Sequence, residues 1–286
     1  MGMAMTRTAC IPPRDLFWRI QRTALLAAIV IATFAAGPAR AGSLDDIRAR
    51  GTLIVGTKAD YQPFGFRDAA GNIVGFEPDI AGEVAKALGV LPQLMPVVAT
   101  TRVSMLASGD LDLVIATMND TPERREQVDF VEPSYYASGV NVLAPKAAHL
   151  HVWQQLRGKP VCSVEGSFYL AELRDRYEPD LRLYQDTNEV YAAVKAGECF
   201  AAYDDAALIG QLQKPEWQDY EMPLRSILVQ PWGMAVKQGN TELAAFVGDL
   251  VKTWHAGGHI EELEKTWRIP PSVFAEEMHR RYADAK

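Results

Sequence analysis

The sequence is 286 residues long, 48% hydrophobic and 23% charged, the make-up of one large or two modest globular domains, which excludes disordered, collagenous and repeat chains. The formal net charge is −7 and acidic residues outnumber basic ones 36 to 29. With no basic run outside the first 25 positions, a nucleic-acid partner is not expected.

The first element in chain order is a leader. Arg7, Arg14, Arg19 and Arg22 precede the apolar stretch Thr23 to Ala36, and Ala39-Arg40-Ala41 supplies the small residues a signal peptidase requires. Residues 1–41 are therefore expected to be a signal peptide cleaved after Ala41, with a retained amphipathic anchor as the alternative. The apolar run falls short of the ~20 residues that span a bilayer, so a membrane-embedded protein is not expected. Export to an oxidising compartment makes cysteine informative: Cys10 leaves with the leader and an even pair, Cys162 and Cys199, remains. A disulfide between them would add roughly 3 to 4 kcal/mol in the chain-entropy estimate. Two buried free thiols are the alternative, and neither cysteine has Cys-x-x-Cys spacing.

Downstream, short β-branched runs alternate with helical periods, a pattern for sheets covered by helices. Leu53 to Thr57 reads as a strand. Ile80 to Leu88 reads as a helix capped by Asp79 and stopped by Gly89. Leu111 to Ala116 reads as a strand followed by the loop Thr117 to Thr121 and a short helix opened by Pro122-Glu123-Arg124, and Asp129 to Tyr136 as an extended segment. After a polar connector, His149 to Gly158, come strand Pro160 to Val164, Gly166-Ser167, a helix to Tyr177, helix Asn188 to Ala196, strand Cys199 to Tyr203, and Asp204-Asp205. The same βαβ grammar occurs twice without a sequence repeat, which predicts two lobes of like architecture. Ligands of open α/β sheets sit beyond the carboxyl ends of strands, so a cleft between the lobes is the expected site.

These segments carry a resemblance. Gly51-Thr52-Leu53-Ile54-Val55-Gly56-Thr57 with Asp60-Tyr61-Gln62-Pro63-Phe64, Gly75-Phe76-Glu77-Pro78-Asp79-Ile80, Leu106 to Asp112, Thr121-Pro122-Glu123-Arg124, Val128-Asp129-Phe130 and Pro133-Ser134-Tyr135 are similar to the periplasmic polar-amino-acid-binding proteins of ABC importers, solute-binding protein family 3. Leu156 to Val161, Gly166-Ser167, Trp232 to Lys237 and Gly258 to Trp267 agree, and the likeness covers about residues 48 to 268. It implies an α/β, two-lobed periplasmic-binding-protein-like fold (type II), each lobe a mixed sheet flanked by helices. Lobe 1 is expected to comprise residues 42–138 plus 232–286 and lobe 2 residues 139–231, with crossings near Ser138 to Val142 and Pro231 to Met234.

The resemblance also implies site residues. Arg124 would grip a ligand α-carboxylate, for which a planar guanidinium is a two-pronged match; read alone, it could equally be a surface Arg paired with Glu123 or Glu126. Asp205, by count from Gly197, or Asp204 beside it would take the α-ammonium, and either could instead cap the helix that follows. Tyr61 matches the aromatic covering one ligand face, while Phe64 is either a second aromatic or core. Thr117 and Asn119 lie in the loop before Arg124, Asn119 where Ser or Thr is usual. Ser167 with the next helix start would seat a carboxylate. Ala99 stands where an aromatic wall is frequent, and Phe168, in place of a hydroxyl, could supply that wall from the other lobe. Lys58 aligns with an Asp of several members; facing the ligand it would disfavour cationic side chains, unless it snorkels outward.

The implied function is a periplasmic receptor for a small polar amino acid or related carboxylate, closing by hinge motion and delivering to an inner-membrane ABC permease. It is expected to be a monomer with no cofactor or metal, and not an enzyme. The alternative is a dehydratase-like enzyme or a sensory module on the same fold. None of the five His lies in the cleft motifs; His255 and His259 have metal-like spacing, but Gly257-Gly258 between them would break the helix such a site needs. Asp204 and Asp205 would have to be the acid–base pair, yet adjacent side chains point apart on most backbones.

Overall fold

The computed structural model describes residues 43–284; the expected signal peptide and Cys10 lie outside the described residues. Ser43 caps α1 (Leu44–Arg50), Gly51 ends it at φ +72, and the chain enters β1 (Thr52–Thr57). β1 is buried beyond Thr52, as a strand covered on both faces must be. It pairs in parallel with β5 (Leu91–Pro96) and β6 (Leu113–Val114). The crossovers that parallel pairing requires carry α2 (Phe76–Leu88) and α3 (Arg102–Ser108). Between β1 and α2, a small antiparallel ribbon is formed by β2 (Asp60–Tyr61), β3 (Gly65–Arg67) and β4 (Ile73–Val74). β7 (Val128–Phe130) follows the short α4 (Pro122–Arg125), and β14 (Ala235–Lys237) returns from near the chain end to slot antiparallel between β6 and β7. The first sheet thus runs β5-β1-β6-β14-β7.

The second sheet is built from the chain between these parts. β8 (Tyr136–Pro145) leads in, β9 (Pro160–Val164) pairs in parallel with β10 (Asp180–Tyr184) and β11 (Phe200–Asp204), and β8 pairs antiparallel with β11, β12 (Tyr220–Glu221) and β13 (Ile227–Trp232). Its helices are α5 (Leu170–Glu172), which continues as a π-helical turn to Tyr177, α6 (Thr187–Lys195) and α7 (Asp205–Leu212). The Cys162–Cys199 disulfide joins β9 to the residue before β11, with Cα atoms 5.7 Å apart.

β8 and β13 are the two strands that pass between the sheets, and they pair with each other: Tyr136 faces Trp232 and Ser138 faces Gln230, with a register irregularity towards Ile227 and Leu228 at φ +52. Under this ribbon Phe64, Phe76, Tyr136 and Trp232 interlock at centroid distances of 5.0–5.5 Å, spacing that favours tilted and edge-on aromatic pairs. Phe64, an alternative ligand contact in the sequence, is therefore core.

One local expectation changes. α2 begins at Phe76, with Gly75 rather than Asp79 in the capping position. Pro78 is tolerated because its missing N–H falls in the first turn, where it would have no helical partner. Asp79 instead accepts from Trp267 Nε1 at 2.7 Å. The expected break between the two histidines holds: Gly258, φ +73, separates α8 (Thr241–Gly257) from α9 (His259–Thr266). His255 donates to Ser134 O at 2.9 Å and His259 lies 2.7 Å from Glu83. The tail forms α10 (Val273–Ala283) against α8, where His279 Nδ1 donates to His255 O at 2.7 Å and the Tyr282 ring stacks on His255. Among the described residues no helix is long and apolar enough to cross a membrane.

Candidate functional site

The site lies where the ends of both sheets meet. Lys58, Ala99, Arg102, Thr117, Asn119 and Arg124 line a small cavity from the first sheet's side; Val164, Ser167, Phe168, Tyr169, Tyr203 and Asp204 line it from the second's. Its volume is about 20 Å³, room for about one water molecule and far below the ~300–1,000 Å³ of ligand clefts. The walls already touch. Tyr61 OH donates to Asp204 Oδ2 at 2.7 Å, Thr187 N–H to Asp60 Oδ2 at 2.8 Å, and Arg124 to Gly166 O at 3.3 Å.

Each wall residue is placed by a local device. Thr121 caps α4 by accepting from Arg124 N–H at 3.4 Å, and Arg124 donates back to Asn119 O at 2.7 Å. The guanidinium is half-buried, and burial together with the neighbouring Arg102 charge lowers its pKa to about 9, so it stays cationic at neutral pH. Arg102 is 4% exposed and donates to Ala116 O, with Nε left without a partner. Asn119 is buried and its Nδ2 is likewise unpartnered. Asp204 ends β11; burial pushes its carboxyl up to about 7, against the Tyr61 hydrogen bond and the Arg102 and Arg124 charges, and Oδ1 has no hydrogen-bond partner.

The two adjacent aspartates diverge. Asp205 turns to the crossing strand, accepting from Ser138 Oγ at 2.7 Å and Gly139 N–H at 3.1 Å, and does not line the cavity. Neither carboxylate caps α7; Ser138 Oγ does, accepting from Ala206 N–H at 3.3 Å. An adjacent acid–base pair facing one cavity is therefore not formed. Lys58 is buried but does not snorkel outward: its Nζ is 2.8 Å from Asp60 Oδ1, which offsets its charge. Tyr61 sits one hydrogen bond behind the cavity, its ring 5.1 Å from that of Tyr203. Ser167 lines the cavity, yet its N–H is donated to Val164 O at 3.3 Å and the helix starts only at Leu170, so the amide seat expected there is incomplete. Phe168 is on the wall opposite Ala99, edge-on to Tyr169 at 5.4 Å.

Arg102, Val164, Tyr169 and Tyr203 are the wall residues that sequence reasoning missed. Arg102 carried a signal: a cation opening a helix without an acidic residue in its first turn opposes the helix dipole, and local rules are broken where a site needs it. Among the residues lining the cavity, Arg102 and Asn119 carry buried donors, and Asp204 a buried acceptor, without hydrogen-bond partners. Buried groups of this kind call for partners, and a zwitterion with a carboxylate at one end and an ammonium at the other supplies both kinds. Among the described residues no group of three His, Cys, Asp or Glu could hold a metal.

Comparisons with known proteins bear on the family and the fold. The family model described as bacterial extracellular solute-binding proteins, family 3, matches residues 53–269. The ABC transporter glutamine-binding protein GlnH of Bacillus subtilis is 30% identical over 231 residues, 79% of this chain and 84% of that protein. The L-cystine-binding protein TcyJ of Escherichia coli is 29% identical over 257 residues, 89% and 95% of the two chains. The crystal structure of a cysteine-binding protein from Campylobacter jejuni superposes with a TM-score of 0.76 at 26% identity, covering 82% of this chain and 96% of that one.

Proposed function

The chain belongs to family 3 of the bacterial extracellular solute-binding proteins, and from that premise we propose that it is a periplasmic receptor that captures a small polar amino acid, or a related carboxylated solute, and delivers it to an inner-membrane ABC permease. Residues 1–41 are the export signal in this reading, and residues 42–138 plus 232–286 close against residues 139–231. Arg124 takes the ligand carboxylate, with Arg102 and the Asn119 amide completing its hydrogen bonds. Asp204 takes the ammonium. Thr117 and Ser167 meet polar ends, Phe168 forms the apolar wall, Lys58 stands on the wall with its charge offset by Asp60, and Tyr61 braces Asp204 from behind.

The observation that carries the proposal is the pairing of orphan donors on one side of the cavity with an orphan acceptor on the other. The names of the relatives support an amino acid as ligand. Capture works by differential affinity: groups on both lobes are satisfied together only when the lobes are closed on the solute, so binding shifts the population towards closure. An affinity of about 1 μM needs about −8 kcal/mol, within reach of several charge-assisted hydrogen bonds of ~1.5–3 kcal/mol each after ordering costs.

A thermal-shift panel of amino acids and small organic acids on residues 42–286, refolded to remove carried-over solute, tests this. A ligand at a thousandfold excess over its Kd stabilises the native state by about 4 kcal/mol. One or a few strong responders are expected; no response from any member would contradict the proposal.

A further inference from the structure

α2 opens with a carboxylate sealed from water. Glu77 is 0% exposed. Its Oε1 accepts from Thr117 N–H at 2.6 Å and from the Tyr135 hydroxyl, while Oε2 has no hydrogen-bond partner. Lys58 and Arg102 are the nearby positive charges; burial outweighs their pull and pushes the carboxyl up to about 7. A leucine would fill this volume without that cost, so the acceptor has a task beyond packing.

The task is visible in the backbone it holds. Thr117 has φ +46, a left-handed conformation that a β-branched residue adopts only under constraint, at ~1–3 kcal/mol. Its amide is the group Glu77 grips. From Thr117, whose side chain is on the cavity wall, the chain runs two residues to Asn119 and then into α4, where Arg124 hydrogen-bonds back to Asn119 O at 2.7 Å. Tyr135, the second donor, lies immediately before β8, with its N–H donated to Trp232 O at 3.1 Å on the returning strand. One oxygen therefore ties the cavity loop to α2 and to the root of the crossing ribbon.

We propose that Glu77 is a positioning residue: its carboxylate holds Thr117 left-handed and thereby sets where Asn119 and Arg124 stand in the cavity. The functional weight of this inference rests on the reading of the cavity as a solute site, whereas the structural linkage does not. Amide spectra of isotope-labelled protein read the linkage directly. In Glu77→Ala the amide signals of Thr117, Met118 and Asn119 and the Arg124 side-chain Nε–H signal are expected to shift or broaden, while those of α8 stay in place. Glu77→Gln, which keeps an oxygen acceptor, is expected to restore them. Should Glu77→Ala fail to fold, Glu77→Leu, which fills the volume without an acceptor, takes its place. Loop signals unmoved in the Ala or Leu variant, or a Gln variant displaced as far as either, would overturn the proposal.

Calorimetry with L-glutamine and L-cystine as probes adds the functional arm. If the wild type binds either probe, Glu77→Ala or Glu77→Leu should bind it at least about tenfold more weakly and Glu77→Gln within about threefold; equal affinity in all variants would overturn the functional role of Glu77. If the wild type binds neither, the same comparison is made with a responder from the thermal-shift panel; silence across that whole panel counts against the amino-acid reading, and the spectra still decide the positioning.

Discussion

Asp204 bears the most specific chemistry of any residue in the cavity, because its burial raises its carboxyl from 3.8 to about 7. A raised carboxyl contributes stability that is fully present below its unfolded value and is lost as pH rises through its folded value, so this group alone makes the closed, ligand-free form less stable from about pH 4 to about pH 7. Binding runs the other way. An ammonium needs the ionised form, so below about pH 7 the ligand must displace a proton and affinity should fall by up to about tenfold per pH unit. Titrations at about pH 5.5 and about pH 7.5 check this; a flat profile would exclude Asp204 as the ammonium partner. Glu77 titrates in the same window, so Asp204→Asn is the control, expected to bind at least about tenfold more weakly and to lose most of the pH dependence. Asp205→Asn should stay within about threefold of wild type, since Asp205 serves Ser138 and Gly139 on β8. The sequence named both aspartates without separating them. What separates them is a hydrogen bond between residues 143 positions apart, Tyr61 to Asp204, and no local pattern encodes such a contact.

At the level of elements, the proposed closure can be tested at a glycine. Gly210 on α7 has no strain of its own, but a Cβ there would lie 2.6 Å from Pro63 Cδ and 3.2 Å from Gln62 O, and neither the rigid ring nor the backbone can yield cheaply. Gly210→Ala should therefore raise the stability of the ligand-free protein by up to ~1 kcal/mol through helix propensity, while weakening ligand binding because closure is wedged. Paired melting and calorimetry would check it; unchanged affinity would mean that α7 need not meet the Gln62-Pro63 turn for capture. The disulfide acts within one lobe. It spans 37 residues, and reduction or Cys162→Ser with Cys199→Ser should cost roughly 3 to 4 kcal/mol in denaturant melts, an unchanged midpoint being the contrary result. Elements bounded by local punctuation were legible in the sequence: β9 between Lys159 and Gly166, and α2 up to Gly89. The start of α2 was hidden because Pro78 reads as a barrier; Arg102 left a local trace as a cation opening its helix, but its place in the site follows only from the fold that brings Ala116 and Arg124 beside it.

For the whole molecule, the paired crossing strands β8 and β13 join the two sheets, and the proposed closure would bend this ribbon without rebuilding either sheet. The ribbon is anchored by Tyr136 and Trp232 in the aromatic core, and its register is irregular near Leu228; the proposed hinge motion would bend it beyond that anchor. The cavity is then the meeting place of groups from distant parts of the chain, and its chemistry exists only when the lobes meet. The central claim is that a carboxylated amino acid binds there through Arg124. It is tested most directly by calorimetric titration of wild type and Arg124→Ala with a responder from the panel. The account predicts a loss of at least about a hundredfold in affinity, with the ligand-free melting temperature essentially unchanged. Affinity retained within a few fold, in a folded variant, would contradict it.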